Sequence, residues 1–212
     1  MSKNCVVVDY GIGNTFSVVR ALDAVGVPAI LSSEHQMIES ADRLILPGVG
    51  AFGRAAQRLR ETGLDEAIVN FIRRGNPFLG ICVGMQLLME KGYEFGEHSG
   101  LGLVPGSVEK IVASSSTGKG MPVPIIGWYP IATKETCSGG IGESLLAEGE
   151  SYYFVHSFSA KTLKDDHSLA TIKYGEQKVT AAVGHDNVLG TQFHPEKSGG
   201  AGLRFLSEFV RC

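Results

Sequence analysis

No stretch of this chain approaches the ~18–20 consecutive apolar residues that a membrane-spanning helix needs. No secretory leader is expected: Cys5-Val6-Val7-Val8 is cut short by Asp9, too early for the apolar core of a signal peptide. Charge of either sign is scarce. Nineteen Lys and Arg against 22 Asp and Glu leave a net charge of −3, which gives no footprint for nucleic acid or an anionic membrane. Cysteine is sparse, with Cys5, Cys82, Cys137 and Cys212 forming no CxxC pair, and this excludes a disulfide scaffold. Free thiols in a cytoplasmic protein are the expectation. Nor is there an internal repeat or a composition break, so 1–212 is expected to be one domain. What is plentiful is glycine, 28 residues, which suits many tight strand–helix turns.

The first ~90 residues alternate between strand and helix patterns. Cys5–Val8 is a β-branched run of the kind covered on both faces in a parallel sheet. The loop Asp9–Asn14 follows, then a helical pattern placing Phe16, Val19, Leu22 and Ala24 or Val25 inward, with Asn14 or Thr15 as cap. Gly11-x-Gly13 invites a dinucleotide fingerprint, but Phe16 stands where the third glycine belongs and no acidic ribose ligand follows ~20 residues on. Further strands are expected at Pro28–Leu31 and Arg43–Leu46, with Pro47-Gly48-Val49-Gly50 breaking out as turn or as an anion-facing backbone. Helices are expected at Arg54–Arg60 and Leu64–Arg74. The pattern argues for an α/β, doubly wound, mostly parallel sheet with helices on both faces and ligands at the strands' C-terminal ends.

After Gly100 short strand-like pieces appear at 103–104, 108–112, 123–126, 152–156, 169–173, 179–183 and 188–193. They read as antiparallel and mixed strands extending the sheet. Ser114–Gly120 reads as a linker or hairpin tip, and Gly200–Val210 as a closing helix with Leu203, Leu206 and Phe209 or Val210 inward.

Phe78-Leu79-Gly80-Ile81-Cys82-Val83-Gly84 is a strand running into Gly-x-Cys-x-Gly, and Met85–Glu90 consists largely of helix formers. Strand, Gly-x-nucleophile-x-Gly, helix is the nucleophile elbow with Cys in place of Ser. Small neighbours allow the sharp turn, and a helix N-terminus beneath the sulfur favours thiolate. A structural Cys in a Gly-rich turn gives the same local pattern. The base is sought among six histidines. His35, His98, His167 and His185 read as surface residues, and His156 ends the apolar run Tyr152–Val155. His194 follows an apolar strand and precedes Pro195-Glu196, so Glu196 can orient its imidazole as the third member of a triad. No second His or Cys lies at metal-ligand spacing, and no cofactor is implied.

Gly80-Ile81-Cys82-Val83-Gly84-Met85-Gln86 with Gln192-Phe193-His194-Pro195-Glu196 resembles the class I, triad glutamine amidotransferases. Asp9–Asn14, Pro47–Phe52, Tyr153–Ser157 and His194–Ser198 narrow the resemblance to the glutaminase subunits of imidazole glycerol phosphate synthases, over the full length. The resemblance implies that Cys82, His194 and Glu196 hydrolyse L-glutamine through a thioester, with Val49, Gly50 and Val83 forming the oxyanion hole. It also implies that Gly50, Gln86, His156, Ser157 and Phe158 hold the substrate. Ammonia would pass to a (β/α)₈-barrel cyclase partner in a heterodimer, docked near Asn14, Trp128 and Lys197. One departure stands out: the usual Pro-His-Met-Gly-Trp-Asn is here Pro124-Ile125-Ile126-Gly127-Trp128-Tyr129. It leaves open a paralogous glutaminase that supplies ammonia to a related synthase for modified surface sugars.

Overall fold

The computed structural model describes residues 4–112, 120–134 and 140–212. Cys137 and most of the Ser114–Gly120 segment therefore lie outside the described residues. Strand β1 (Cys5–Val8) is wholly buried and pairs in parallel with β2 (Ala29–Ser32) and β3 (Arg43–Gly48). Helices α1 (Thr15–Ala24) and α2 (His35–Glu39) connect these strands. Next come α3 (Phe52–Thr62), α4 (Leu64–Arg73), β4 (Phe78–Cys82) and the one-turn helix α5 (Val83–Gln86). On α4, Leu64, Ala67, Ile68, Phe71 and Ile72 face the core at helical spacing. Each large side chain so buried is worth about 1.5–3 kcal/mol.

The second half adds β5 (Met89–Gly92), β6 (His98–Ser99), β7 (Val104–Lys110), β8 (Ile125–Pro130) and β9 (Ala132–Thr133). After α6 (Gly142–Leu145) come β10 (Ser151–His156), β11 (Phe158–Thr162), β12 (Ser168–Tyr174), β13 (Gln177–His185), β14 (Val188–Thr191) and α7 (Gly199–Phe209). The main sheet runs β2-β1-β3-β4-β14-β13-β12-β9. Its first five strands are parallel and the last three antiparallel. The parallel part has the doubly wound order in which ligands bind beyond the carboxyl ends of the strands. Helix α1 packs with α7, while α4 packs with α2 and α3.

Several expectations need correction. The second half does not simply extend one sheet: β11-β7-β5-β6 and β10-β8 form two further sheets. Met89–Glu90, expected as helix, opens β5. There the N–H groups of Leu101, Gly102 and Leu103 donate to the carbonyls of Leu87, Met89 and Leu88, and this tertiary pairing overrides helix propensity. Strand β3 does not stop at Leu46; Pro47 and Gly48 stay in register with Ile81 and Cys82. On α1, Phe16 is 76% exposed and the buried face is Val18, Ala21 and Leu22. Asn14 sits at the N-cap position without a side-chain cap bond. On α7 the inward residues are Phe205, Leu206 and Phe209, with Leu203 only half-buried. His167, expected at the surface, is buried and stacks on His185 with ring centroids 4.8 Å apart. Among the described residues, no helix is long and apolar enough to cross a membrane.

Candidate active site

Strand β4 turns into α5 where only glycine fits. A Cβ on Gly80 would lie 2.6 Å from the Gly84 carbonyl oxygen, and one on Gly84 would lie 1.9 Å from that of Leu46. So close an approach lets Cys82 take φ 55°, ψ −109°, a conformation costing a non-glycine residue about 1–3 kcal/mol. The Val83 N–H, first in the helix, has no partner within it. With α5 a single turn, little macrodipole stands behind the sulfur.

His194 leaves the main sheet just after β14. Its backbone is clamped: the N–H donates to the Tyr153 carbonyl at 2.9 Å, and the carbonyl accepts from Ser198 Oγ at 2.7 Å. Ser198 Oγ in turn accepts from the Tyr153 N–H at 3.0 Å. His194 Nδ1 donates to Glu196 Oε1 at 2.8 Å, and both side chains are almost sealed from solvent, 2% and 1% exposed. The carboxylate fixes the tautomer, leaving Nε2 as the ring nitrogen not engaged by Glu196. Nε2 is buried with no full hydrogen bond in the resting site, although the Cys82 sulfur is close enough to act on it. Burial opposes charge on this imidazole. The Cys82 and Glu196 groups outweigh it and push His194 up to about 10.

The sulfur opens onto a cleft of about 490 Å³. Val49, Gly50 and Ala51 from the exit of β3 form one side, and Cys82, Val83 and Gln86 the floor. Val155–Phe158, His194 and Lys197 complete it, with Glu94, Phe95 and Pro124 at the edge. His156 donates from Nδ1 to the Phe158 carbonyl at 2.8 Å. Burial pushes His156 down to about 4, against that hydrogen bond, and the neighbouring His194 charge adds to the depression. It is a neutral ring with a buried, unpartnered Nε2. Among the described residues, no group of three or more His, Cys, Asp or Glu side chains is disposed to hold a metal ion. A strained thiol, a buried imidazole–carboxylate pair and an adjoining cleft make a site able to transfer an acyl group through sulfur.

A family model for class-I glutamine amidotransferases matches residues 6–211. The chain belongs to the class-I glutamine amidotransferase family. It is 42% identical to the imidazole glycerol phosphate synthase subunit HisH of Bacillus velezensis, covering 97% of this chain and 94% of that protein. The HisH subunit of Wolinella succinogenes is 45% identical, with 96% of this chain and 97% of that one covered. A crystal structure described as a glutamine amidotransferase shares the fold with a TM-score of 0.71 at 21% identity, covering 98% and 99% of the two chains.

In this amidotransferase the elbow, the exit of β3, the β10–β11 junction and the segment after β14 bring Val49, Gly50, Cys82, Val83, Gln86, His156, Ser157, Phe158, His194 and Lys197 to one cleft. Glu196 stands behind His194 rather than in the cleft. Asn14 and Trp128 line no part of it; Trp128 lies on β8, 54% exposed, with its ring edge-on to Tyr153 at 6.1 Å. Among the residues of this amidotransferase's site to which the sequence assigns no role, two make polar contacts there. Glu94 Oε2 accepts from the Phe52 N–H at 2.8 Å, at the first turn of α3. Gln192, fully buried, points Nε2 at Cys82 Sγ at 3.6 Å. Its signal was visible: a primary amide ending an otherwise apolar strand has to find a partner.

Proposed function

We propose that the chain is the glutaminase subunit of an imidazole glycerol phosphate synthase, acting in the cytoplasm as a heterodimer with a (β/α)₈-barrel cyclase subunit. Supporting this reading is the buried His194–Glu196 pair at 2.8 Å beside a positive-φ Cys82, in a chain so close to HisH subunits. Cys82 sulfur attacks the side-chain amide carbon of L-glutamine. The C–N bond breaks, ammonia leaves with a proton from His194, and a glutamyl thioester remains. Water, deprotonated by His194, then attacks the thioester and glutamate departs as the thiolate is restored. Glu196 holds the imidazole throughout and stabilises its charged form. The N–H groups of Val83 and of the Val49–Gly50 segment receive the oxyanion, where losing one donor typically costs about 10²–10³ in rate. Gly50, Gln86, His156, Ser157 and Phe158 bind glutamine, and Asn14, Trp128 and Lys197 meet the cyclase.

The β8 departure favours keeping the second reading, a paralogous glutaminase feeding a synthase for modified surface sugars. Ile125 and Tyr129 point inward, Tyr129 edge-on to Phe154 and Tyr174, so they alter packing. Ile126 alone of the three shares the exposed face with Trp128, and it is the replacement a partner would meet. A histidine-pathway cyclase in the neighbouring reading frame favours the first reading, a sugar-modifying operon the second. For either, Cys82→Ser is expected to reduce glutamine-dependent synthesis by ~10³ or more while ammonia-dependent synthesis by the complex persists. Loss of both activities together would make Cys82 a structural residue.

A further inference from the structure

Three side chains form a hydrogen-bonded line under the cleft. Gln86 Nε2 lies 3.2 Å from the Phe158 carbonyl oxygen and 3.0 Å from Gln192 Oε1. Gln192 Nε2 then lies 3.6 Å from Cys82 Sγ. Gln192 is 0% exposed and Gln86 3%. The line fixes its own polarity. A backbone carbonyl only accepts, so Gln86 must turn its NH₂ inward. Gln192 must then offer oxygen to Gln86, which leaves its own NH₂ for the sulfur. Two consequences follow for the cleft. Gln86 Oε1 is the atom left free to accept from a ligand, and the sulfur receives an N–H donor.

We propose that Gln192 is a positioning residue that couples glutamine recognition to the nucleophile, holding Gln86 oxygen-outward for an N–H of the substrate and Cys82 Sγ through an N–H bond of its own. This rests on Cys82 being the nucleophile. Its substrate-side part is specific: the acceptor on Gln86 suits the amide or ammonium of glutamine and offers nothing to a carboxylate.

Two substitutions separate the two halves. Gln192→Glu keeps an acceptor for Gln86 but has no donor for sulfur. The KM for glutamine should stay within about twofold while kcat falls roughly tenfold or more. The pH of half-maximal Cys82 alkylation by iodoacetamide, read by peptide mass spectrometry on the full chain, should rise by about one unit. Gln192→Met removes both bonds, so KM should rise about tenfold as well. Gln86→Met approaches from the cleft side and remains informative should the Gln192 variants fail to fold. It should raise KM and, by releasing Gln192, also lift the alkylation midpoint by about half a unit. A merely structural Gln192 would lower Tm while the folded variants kept wild-type KM and alkylation midpoint, and that result overturns the proposal. If the wild-type chain with its partner hydrolyses no glutamine, the catalytic reading has failed. The alkylation midpoints still decide whether Gln192 governs the sulfur.

Discussion

The two walls of the cleft are built on different terms. The sheet wall, β4 with α5 and the end of β14, is packed so tightly that glycines at 80 and 84 stand against backbone atoms. Every polar group there that bears on the sulfur is buried. The outer wall, formed by β10 and the exit of β3 with β8 paired beside β10, leaves Val49 exposed at the cleft and Ile126 and Trp128 exposed next to it, and Gly50 has no neighbour within 4 Å of a built Cβ. Chemistry needs fixed geometry, whereas a mouth that meets substrate and partner needs accessible surface. The chain also departs from its family on the outer wall, while the residues around Cys82 follow the pattern.

Glycine substitution breaks this contrast most directly. Gly84→Ala drives a Cβ to 1.9 Å from the Leu46 carbonyl oxygen, and backbone on both sides must give way. We expect a loss of about 3 kcal/mol or more, a fall in Tm of roughly 6–12 °C, with activity lost alongside. Gly50→Ala meets no atom but holds φ +85°, so only about 1 kcal/mol of backbone strain is expected. Equal Tm losses on thermal denaturation would mean the walls do not differ in packing.

The two buried histidines of the cleft sharpen the comparison with smaller effects. His194, on the sheet wall, is raised to about 10, and His156, on the outer wall, is lowered to about 4. For His194 the folded state holds the proton more tightly than the unfolded chain. Its stabilisation is complete below about pH 6.5 and is lost as pH rises through about 10. For His156 the folded state resists protonation, so its stabilisation is present above about pH 6.5 and is lost as pH falls through about 4. The Tm gap between wild type and His194→Asn should therefore shrink towards alkaline pH. The gap for His156→Gln should shrink towards acid, each change being on the order of a few degrees. Parallel slopes for the two variants would remove the assigned electrostatic difference.

The contrast also governs what was legible in sequence. Cys82 and His194 stand out in the sequence because each ends an apolar run, with Glu196 two residues on, and the structure buries the side chains of all three. The parallel half of the sheet was readable for the same reason, since strands covered on both faces are continuously apolar. Long-range pairing left no such mark. Met85–Glu90 has helix-forming composition, yet its second half is claimed by strands that begin some ten residues on. Phe16 fitted a helical stripe that the core does not use. Gln192 was in plain view, but its role depends on Gln86, 106 positions earlier in the chain.

Trp128 offers the mildest test on stability and the sharpest on the outer wall's purpose. Its ring is 54% exposed and leans edge-on against Tyr153, whose backbone clamps His194 through its carbonyl and through Ser198. Removing a half-exposed indole costs the isolated chain about 1 kcal/mol or less. If β8 is the docking face, Trp128→Ala should weaken cyclase binding by roughly tenfold or more, because aromatic anchors dominate interface energies. Ile126→Met, which restores the family residue on the same face, should leave the fold untouched and alter partner affinity alone. Titration of each variant against the cyclase, with Tm measured in parallel, separates the two effects. Unchanged affinity for both variants would move the docking surface off β8 and return Trp128 to a packing role against Tyr153.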